Sequence, residues 1–219
     1  MRVAILSVLA VVLAATVPAT HAASARRSTP SRGRSTQGRF LVATEQLLDP
    51  NFARTVILIL SHDEQGAMGV VVNRPSEIRL AEAVPALEEL RKRDDRVFFG
   101  GPVALNLMIV LLRTGKQPPD SRRVFDDVYV TGSLKALRSA LAQPSQSSRL
   151  RAFLGHAGWA PGQLEHEISR GDWRLADADP GLIFDTAPRD VWPRLNQRTG
   201  GEWTRQDPDP ERPVALAAR

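Results

Sequence analysis

The sequence predicts a mixed α+β fold, on three observations. The apolar runs Val56-Ile-Leu-Ile-Leu60, Val70-Val-Val72 and Leu107-Met-Ile-Val-Leu-Leu112 have the length and β-branched character of buried strands. Segments with helical spacing fall near 80–92, 134–142, 161–170 and 188–197. The two kinds of segment are interspersed without regular βαβ spacing, so a wholly parallel sheet is not expected.

The chain has 219 residues, 42% hydrophobic and 24% charged, with 15 Gly and 16 Pro. That is ordinary globular composition for one domain with appendages, and it excludes a collagen, a coiled coil or a wholly disordered chain. Cysteine is absent. Disulfides, Cys-ligated zinc, iron–sulfur clusters, thiol catalysis and a lipid-modified N-terminal Cys are therefore excluded.

The formal net charge of +5 invites a nucleic-acid reading, but its distribution argues against one. Residues 1–39 hold Arg2, Arg26, Arg27, Arg32, Arg34 and Arg39 and no acid, leaving 23 basic and 24 acidic side chains for 40–219. A near-neutral body lacks the one-sided basic field that binds phosphates by counterion release. Specific DNA binding is not expected.

Residues 1–22 read as a signal peptide: Arg2, a 15-residue apolar core from Val3 to Val17, then small residues allowing cleavage after Ala22 or Ala25. The core is short for a span of about 20 residues, so an uncleaved anchor is the weaker alternative, and no later run approaches that length. Arg26-Arg27 follows the core and is not a twin-arginine signal. Residues 23–38, rich in Ser, Arg and Gly, read as a flexible basic linker. The expected domain covers 39–200, and 201–219, rich in Pro, Asp and Arg, read as a loose tail. A periplasmic or secreted location follows.

Within the domain, Arg39-Phe-Leu-Val-Ala43 is the first strand and Asp49-Pro-Asn-Phe52 a turn. The run 56–60 and the strand 70–73 flank Gly66-Ala-Met-Gly69 as a hairpin. A helix follows over 80–92, with Pro85 in a first turn or at a break. Val97-Phe-Phe99 runs into Gly100-Gly101-Pro102, then come the strand 107–112 and two short ones at 124–125 and 128–130. Ser133 caps the helix 134–142, and 150–154 make another strand.

Three blocks carry a family resemblance. They are Leu48-Asp-Pro-Asn-Phe52 leading to His62-Asp-Glu-Gln-Gly-Ala-Met-Gly-Val-Val-Val-Asn-Arg-Pro75; Phe99-Gly-Gly-Pro-Val103; and Leu154-Gly-His-Ala-Gly-Trp-Ala-Pro-Gly-Gln-Leu-Glu-His-Glu-Ile168, continued by Asp172-Trp173, residues 179–185 and Trp192. Over roughly 39–198 the chain resembles the YqgE/AlgH family of bacterial proteins. The resemblance implies a bifurcated, partly barrel-like sheet surrounded by helices. It implies no established catalytic activity, and the family's label as a transcriptional regulator of alginate synthesis has no recognisable DNA-binding motif behind it. Family members are usually cytosolic and start directly with the domain, whereas this chain carries the export signal. An Arg-Gly-Phe-Val-Leu-His type run of the family is replaced here by Leu107-Met-Ile-Val-Leu-Leu112, and His156 stands where Tyr is common.

The candidate binding residues are Asn73, Arg74, Gly100, Gly101, Gly155, His156, Gly158, Trp159, Gly162, Gln163 and Glu165. A structural account competes for each. With Ala160 as N-cap, Pro161 takes the first helical position, Trp159 staples onto Leu164, Gln163 sits where a capping box places it, and Gly171 ends the helix. Ala160 has no side-chain oxygen, so the amides of Gly162 and Gln163 are left to hold a carboxylate or phosphate, or a side chain of another loop. Arg74 is a surface charge able to bind an anion.

No metal site is expected, because Glu165 and Glu167 point about 200° apart on a helix and no His-Glu-x-x-His pattern occurs. Ser61-His62-Asp63 has triad residue types, but neighbours in sequence do not make a triad, and no Gly-x-Ser-x-Gly elbow occurs. The glycine pairs lack P-loop or dinucleotide spacing, so no cofactor is expected. The reading is an exported, non-catalytic binding or regulatory domain with an unidentified protein or small anionic ligand as partner. The alternatives are a transcriptional regulator and, second, an unrecognised hydrolase.

Overall fold

In the computed structural model, residues 35–142 and 149–198 are described. The expected signal peptide, most of the linker and the tail 201–219 lie outside them.

The first three strands are β1 (Arg39–Ala43), β2 (Val56–Asp63) and β3 (Gly66–Val71). β4 (Pro75–Arg79), α1 (Leu80–Ala83), a 3-10 turn (Glu88–Lys92) and β5 (Arg96–Phe99) follow. Then come β6 (Val103–Arg113), β7 (Arg122–Phe125), β8 (Val128–Thr131), α2 (Leu134–Ala142) and β9 (Arg149–Trp159). The chain continues through α3 (Gln163–Arg170), β10 (Trp173–Asp177), α4 (Pro180–Phe184) and α5 (Pro188–Arg198). The fold is mixed α+β. Its strands run in the order β10-β1-β2-β3-β9-β6-β8-β7, with β4 and β5 branching from β9, and they curl into a half-barrel.

β9 is the trunk of the branch. Its first half lies between β5, parallel, and β6, antiparallel; its last three residues pair with β3 instead. Both faces of this part are covered. Phe98, Ile109, Leu111 and Phe153 enter the larger core, whereas Val97, Val110, Leu112 and Ala152 enter a second one under α1, the 3-10 turn and α2. Strands buried on both sides need unbroken apolar runs, and the sequence supplies them. All five residues of 56–60 are fully buried.

The structure departs from the sequence reading at several places. The helix 80–92 is broken into α1 and a 3-10 turn at Val84 and Pro85, because proline cannot donate to a helix and bars the helical conformation before it. β4 pairs with β5 but shows no apolar alternation, being exposed along most of its length, so its pattern was silent. The run from Leu107 is buried only from Ile109; residues 103–107 stand out from the body. Residues just before β1 also contact the body: Thr36 is buried, and the Gly38 N–H donates to Ile59 O at 2.9 Å.

Candidate functional site

Gly100, Gly101 and Gly155 meet where the sheet divides. The Gly100 N–H donates to Leu154 O at 2.8 Å, and its carbonyl accepts the Val71 N–H at 2.9 Å, so at this residue β3 takes over the flank of β9 from β5. Three backbones cross with no room between them. A Cβ on Gly100 would lie 2.3 Å from Gly155 O, one on Gly101 2.2 Å from His156 C, and one on Gly155 2.3 Å from Gly101 O. Gly155 also has φ +71°, which favours glycine. The crossing accounts for all three glycines without a ligand.

Asn73 and Arg74 are likewise engaged by the fold. Asn73 Oδ1 accepts the Val56 N–H at 2.9 Å while its amide donates to Arg54 O at 3.0 Å. The Arg74 guanidinium donates to the carbonyls of Asn51, Pro50 and Ala53 at 2.7, 3.0 and 3.2 Å. Burial lowers its pKa, partly countered by Asp49. The Asp-Pro-Asn-Phe turn and the Asn-Arg-Pro strand end are thus two halves of one contact. The expected free surface charge is a tether.

Helix α3 starts later than its motif suggests. Its N-cap is Gly162, at φ +75°, not Ala160. The Gln163 N–H donates to Ala160 O at 3.0 Å, so that amide is not free. Gln163 Oε1 still reaches back to the Ala160 N–H, also at 3.0 Å, which is the side-chain half of a capping box. Gly171, in the left-handed conformation, ends the helix as expected. Trp159 and Leu164 are both buried in the larger core.

The residue that organises this corner is Glu167, which was not among the candidates. Its Oε2 accepts both the Trp159 and the Trp173 indole N–H at 2.8 Å, and Oε1 accepts the Gln163 amide at 2.9 Å. The two indoles stand edge to face, 6.2 Å between ring centroids. The sequence carried one signal for this: two tryptophans eight and six residues from one glutamate.

Glu165, one of the candidates, faces a different group. A bulge at Leu60 shifts the register of β2, and the strand then places His62 opposite Ala67, itself opposite Trp159. His62 Nε2 lies 2.7 Å from Glu165 Oε1. Its Nδ1 is 2.8 Å from Thr36 Oγ1 and accepts the Thr36 backbone N–H at 3.2 Å. A backbone N–H donating to Nδ1 requires a lone pair there, so the ring proton sits on Nε2 and points at the carboxylate. Hydroxyl, imidazole and carboxylate follow one another as in a nucleophilic relay. However, Thr36 is buried and its own N–H shares the Nδ1 lone pair, so neither nucleophile nor base is free. The chemistry of this trio is a clasp. In the sequence His62 stands out only within Ser61-His62-Asp63, and Thr36 lies in the expected linker.

His156 and Gly158 share the other face of β9. A Cβ on Gly158 would meet only the His156 ring, at 3.8 Å, and open space otherwise. Among the described residues His156 Nδ1 is buried without a hydrogen-bond partner, and desolvation lowers the pKa of the ring. Among the described residues no three His, Asp or Glu gather as metal ligands.

The protruding part of β6 lies beside His156. Val103 pairs with His156 and Met108 with Leu154, so five steps along β6 match two along β9. The surplus bulges outward, turned by Ala104 at φ +49°. It exposes Val103, Leu105 and Leu107 at 44%, 52% and 44%, in a stretch without a charged side chain from 97 to 112.

Known proteins match this chain along most of its length. The AlgH-like family profile covers residues 40–204. A UPF0301 protein of Chlorobium luteolum is 35% identical over 180 residues, 80% of this chain and 92% of the relative. One from Streptomyces avermitilis is 38% identical over 174 residues, 77% and 89% respectively. A crystal structure of a Corynebacterium diphtheriae protein superposes with a TM-score of 0.66 at 30% identity, covering 74% of this chain and 86% of that one. The solution structure of Pseudomonas aeruginosa AlgH gives 0.63 at 31%, covering 78% and 93%. With its branched sheet, its glycine crossing and these matches, the chain belongs to the AlgH-like UPF0301 family.

Proposed function

We propose that this chain is an exported, non-catalytic binding or regulatory protein that engages a protein partner through the β6 bulge. The observation that carries this reading is the exposure of Val103, Leu105 and Leu107 on an uncharged protrusion. Contiguous apolar side chains turned to water mark interaction surfaces, and interface cores are depleted of charge. The motif residues that suggested chemistry support the reading from the other side: Asn73, Arg74, Gly100, Gly101 and Gly155 are consumed in holding backbone together. Export rests on the apolar core and small-residue exit of residues 1–22.

A photo-crosslinking residue at Leu105 or Leu107 tests the surface in cells. A discrete adduct is expected there and not at Leu48, which is 82% exposed but stands alone. Adducts no different from those at Leu48 would remove the surface. Fractionation with N-terminal sequencing should find a mature chain starting at Ala23 or Arg26 outside the cytoplasm; a cytosolic chain starting at Met1 would remove export. Submicromolar, salt-sensitive and sequence-selective duplex binding would instead favour transcriptional regulation.

A further inference from the structure

We propose that Arg151 of β9 anchors a binding site for an oxyanion, a carboxylate or phosphate group met edge-on by its guanidinium. The guanidinium carbon lies 4.4 Å from the ring centroid of Phe98 on β5, and Phe98 is itself set against Phe153, 5.7 Å between centroids. The ring covers one face of the fork and fixes its plane, while the half-buried side chain keeps its outer edge in reach of solvent. Among the described residues the guanidinium has no hydrogen-bond or ion-pair partner.

The charged groups around it are already committed to one another. Leu111 of β6 is opposite Arg151, and two residues further along the same strands Arg113 is opposite Arg149. Arg113 donates to Asp127 at 3.0 Å and to Asp185 at 3.4 Å, and Arg149 takes the other oxygen of Asp185. On the β5 side, Arg93 donates to both oxygens of Asp95, and Arg96 to Glu77. Asp95 acts on Arg151 through its charge alone, and burial outweighs it, taking the Arg151 pKa down to about 10.

A cation drawn out of water without an acceptor is costly, and an oxyanion in the plane of the fork restores two charge-assisted hydrogen bonds at once. At this corner Arg113, Arg149 and Arg151 stand against Asp127 and Asp185, three guanidiniums to two carboxylates. The single surplus positive charge suits a carboxylate, and a phosphate makes the same two-point contact. The site lies well along β6 from its exposed residues 103–107 and stands independently of the role given to that protrusion.

Arginine Nε–Hε resonances of the purified protein test this, in separate titrations with sodium acetate and sodium phosphate at constant ionic strength. The Arg151 signal is expected to move saturably, with a half-point below about 10 mM for at least one of the two anions. Saturation by acetate identifies a carboxylate ligand and saturation by phosphate a phosphate ligand. Arg122, whose guanidinium already donates to Leu60 O at 3.0 Å, is the internal reference and should only drift. Arg151→Lys keeps the charge and loses the fork, so the half-point followed at the Ala152 amide should rise about tenfold while the rest of the amide spectrum reports an intact fold. An Arg151 signal that drifts with both anions as Arg122 does, or an equal half-point in Arg151→Lys, would overturn the proposal.

Discussion

Replacing Glu167 with alanine should destabilise the domain by about 2–4 kcal/mol. The figure follows from what the carboxylate holds. Its Oε2 accepts two indole N–H groups at 2.8 Å, and Trp159 and Trp173 are only 7% and 3% exposed. A hydrogen bond to a charged group is worth about 1.5–3 kcal/mol, and a buried donor left without a partner costs about 1–3. Both bonds are partly buried, so water recovers a share and the lower half of the summed range applies. For a domain of this size that is a fall of roughly 5–15 °C in Tm. Urea unfolding followed by tryptophan fluorescence measures it. Trp173→Phe keeps an aromatic ring at the site and removes one donor, so its cycle with Glu167→Ala should show coupling of about 1–2 kcal/mol. A cost below about 1 kcal/mol, or additive variants, would refute the assignment of Glu167 as the common acceptor.

Gly155→Ala should cost about 2–4 kcal/mol, from roughly 1 for the left-handed backbone and 1–3 for the crowding against Gly101 O at 2.3 Å. Gly115→Ala, with nothing within 4 Å, is the matched control and should stay within about 0.5 kcal/mol in the same urea titration. Deleting 23–34 should leave Tm nearly unchanged, whereas deleting 23–38 should lose about 1–3 kcal/mol by differential scanning calorimetry, because it removes Thr36 and the Gly38 bond to Ile59. Equal effects of the two deletions would show that residues 35–38 contribute nothing.

The fold class was legible because strands buried on both faces must be apolar throughout, and 56–60, 70–72 and 109–112 obey that rule. What the rule does not reach is pairing. β4 is held by β5 through backbone bonds while its side chains face water, so no periodicity marks it. The start of α3 was misplaced because Pro161 fits a first helical position equally well inside the turn that precedes Gly162. The ties of residues 35 and 36 were not legible for a related reason. Ser35 and Thr36 have the composition of a tether, yet each is fixed by His62, a partner about 27 residues away that composition does not disclose.

The candidate residues divide by the same physics. A glycine or a tethering arginine marks a place where backbone comes close or needs a donor, and a ligand and a second strand impose the same demand. Sequence therefore found Gly100, Gly155 and Arg74 and could not tell which demand they met. The distinction requires knowing what fills the space. Around the glycines it is β3, β5 and β9; around Arg74 it is the turn at 49–54. The residues that sequence ranked low are those whose meaning is set by a distant partner. His62 gains its tautomer from Thr36 and its orientation from Glu165, and the β6 bulge gains its exposure from a register slip against β9. In this family member the dense motifs build the branched sheet, and the β6 bulge and the His62 trio lie at its margins.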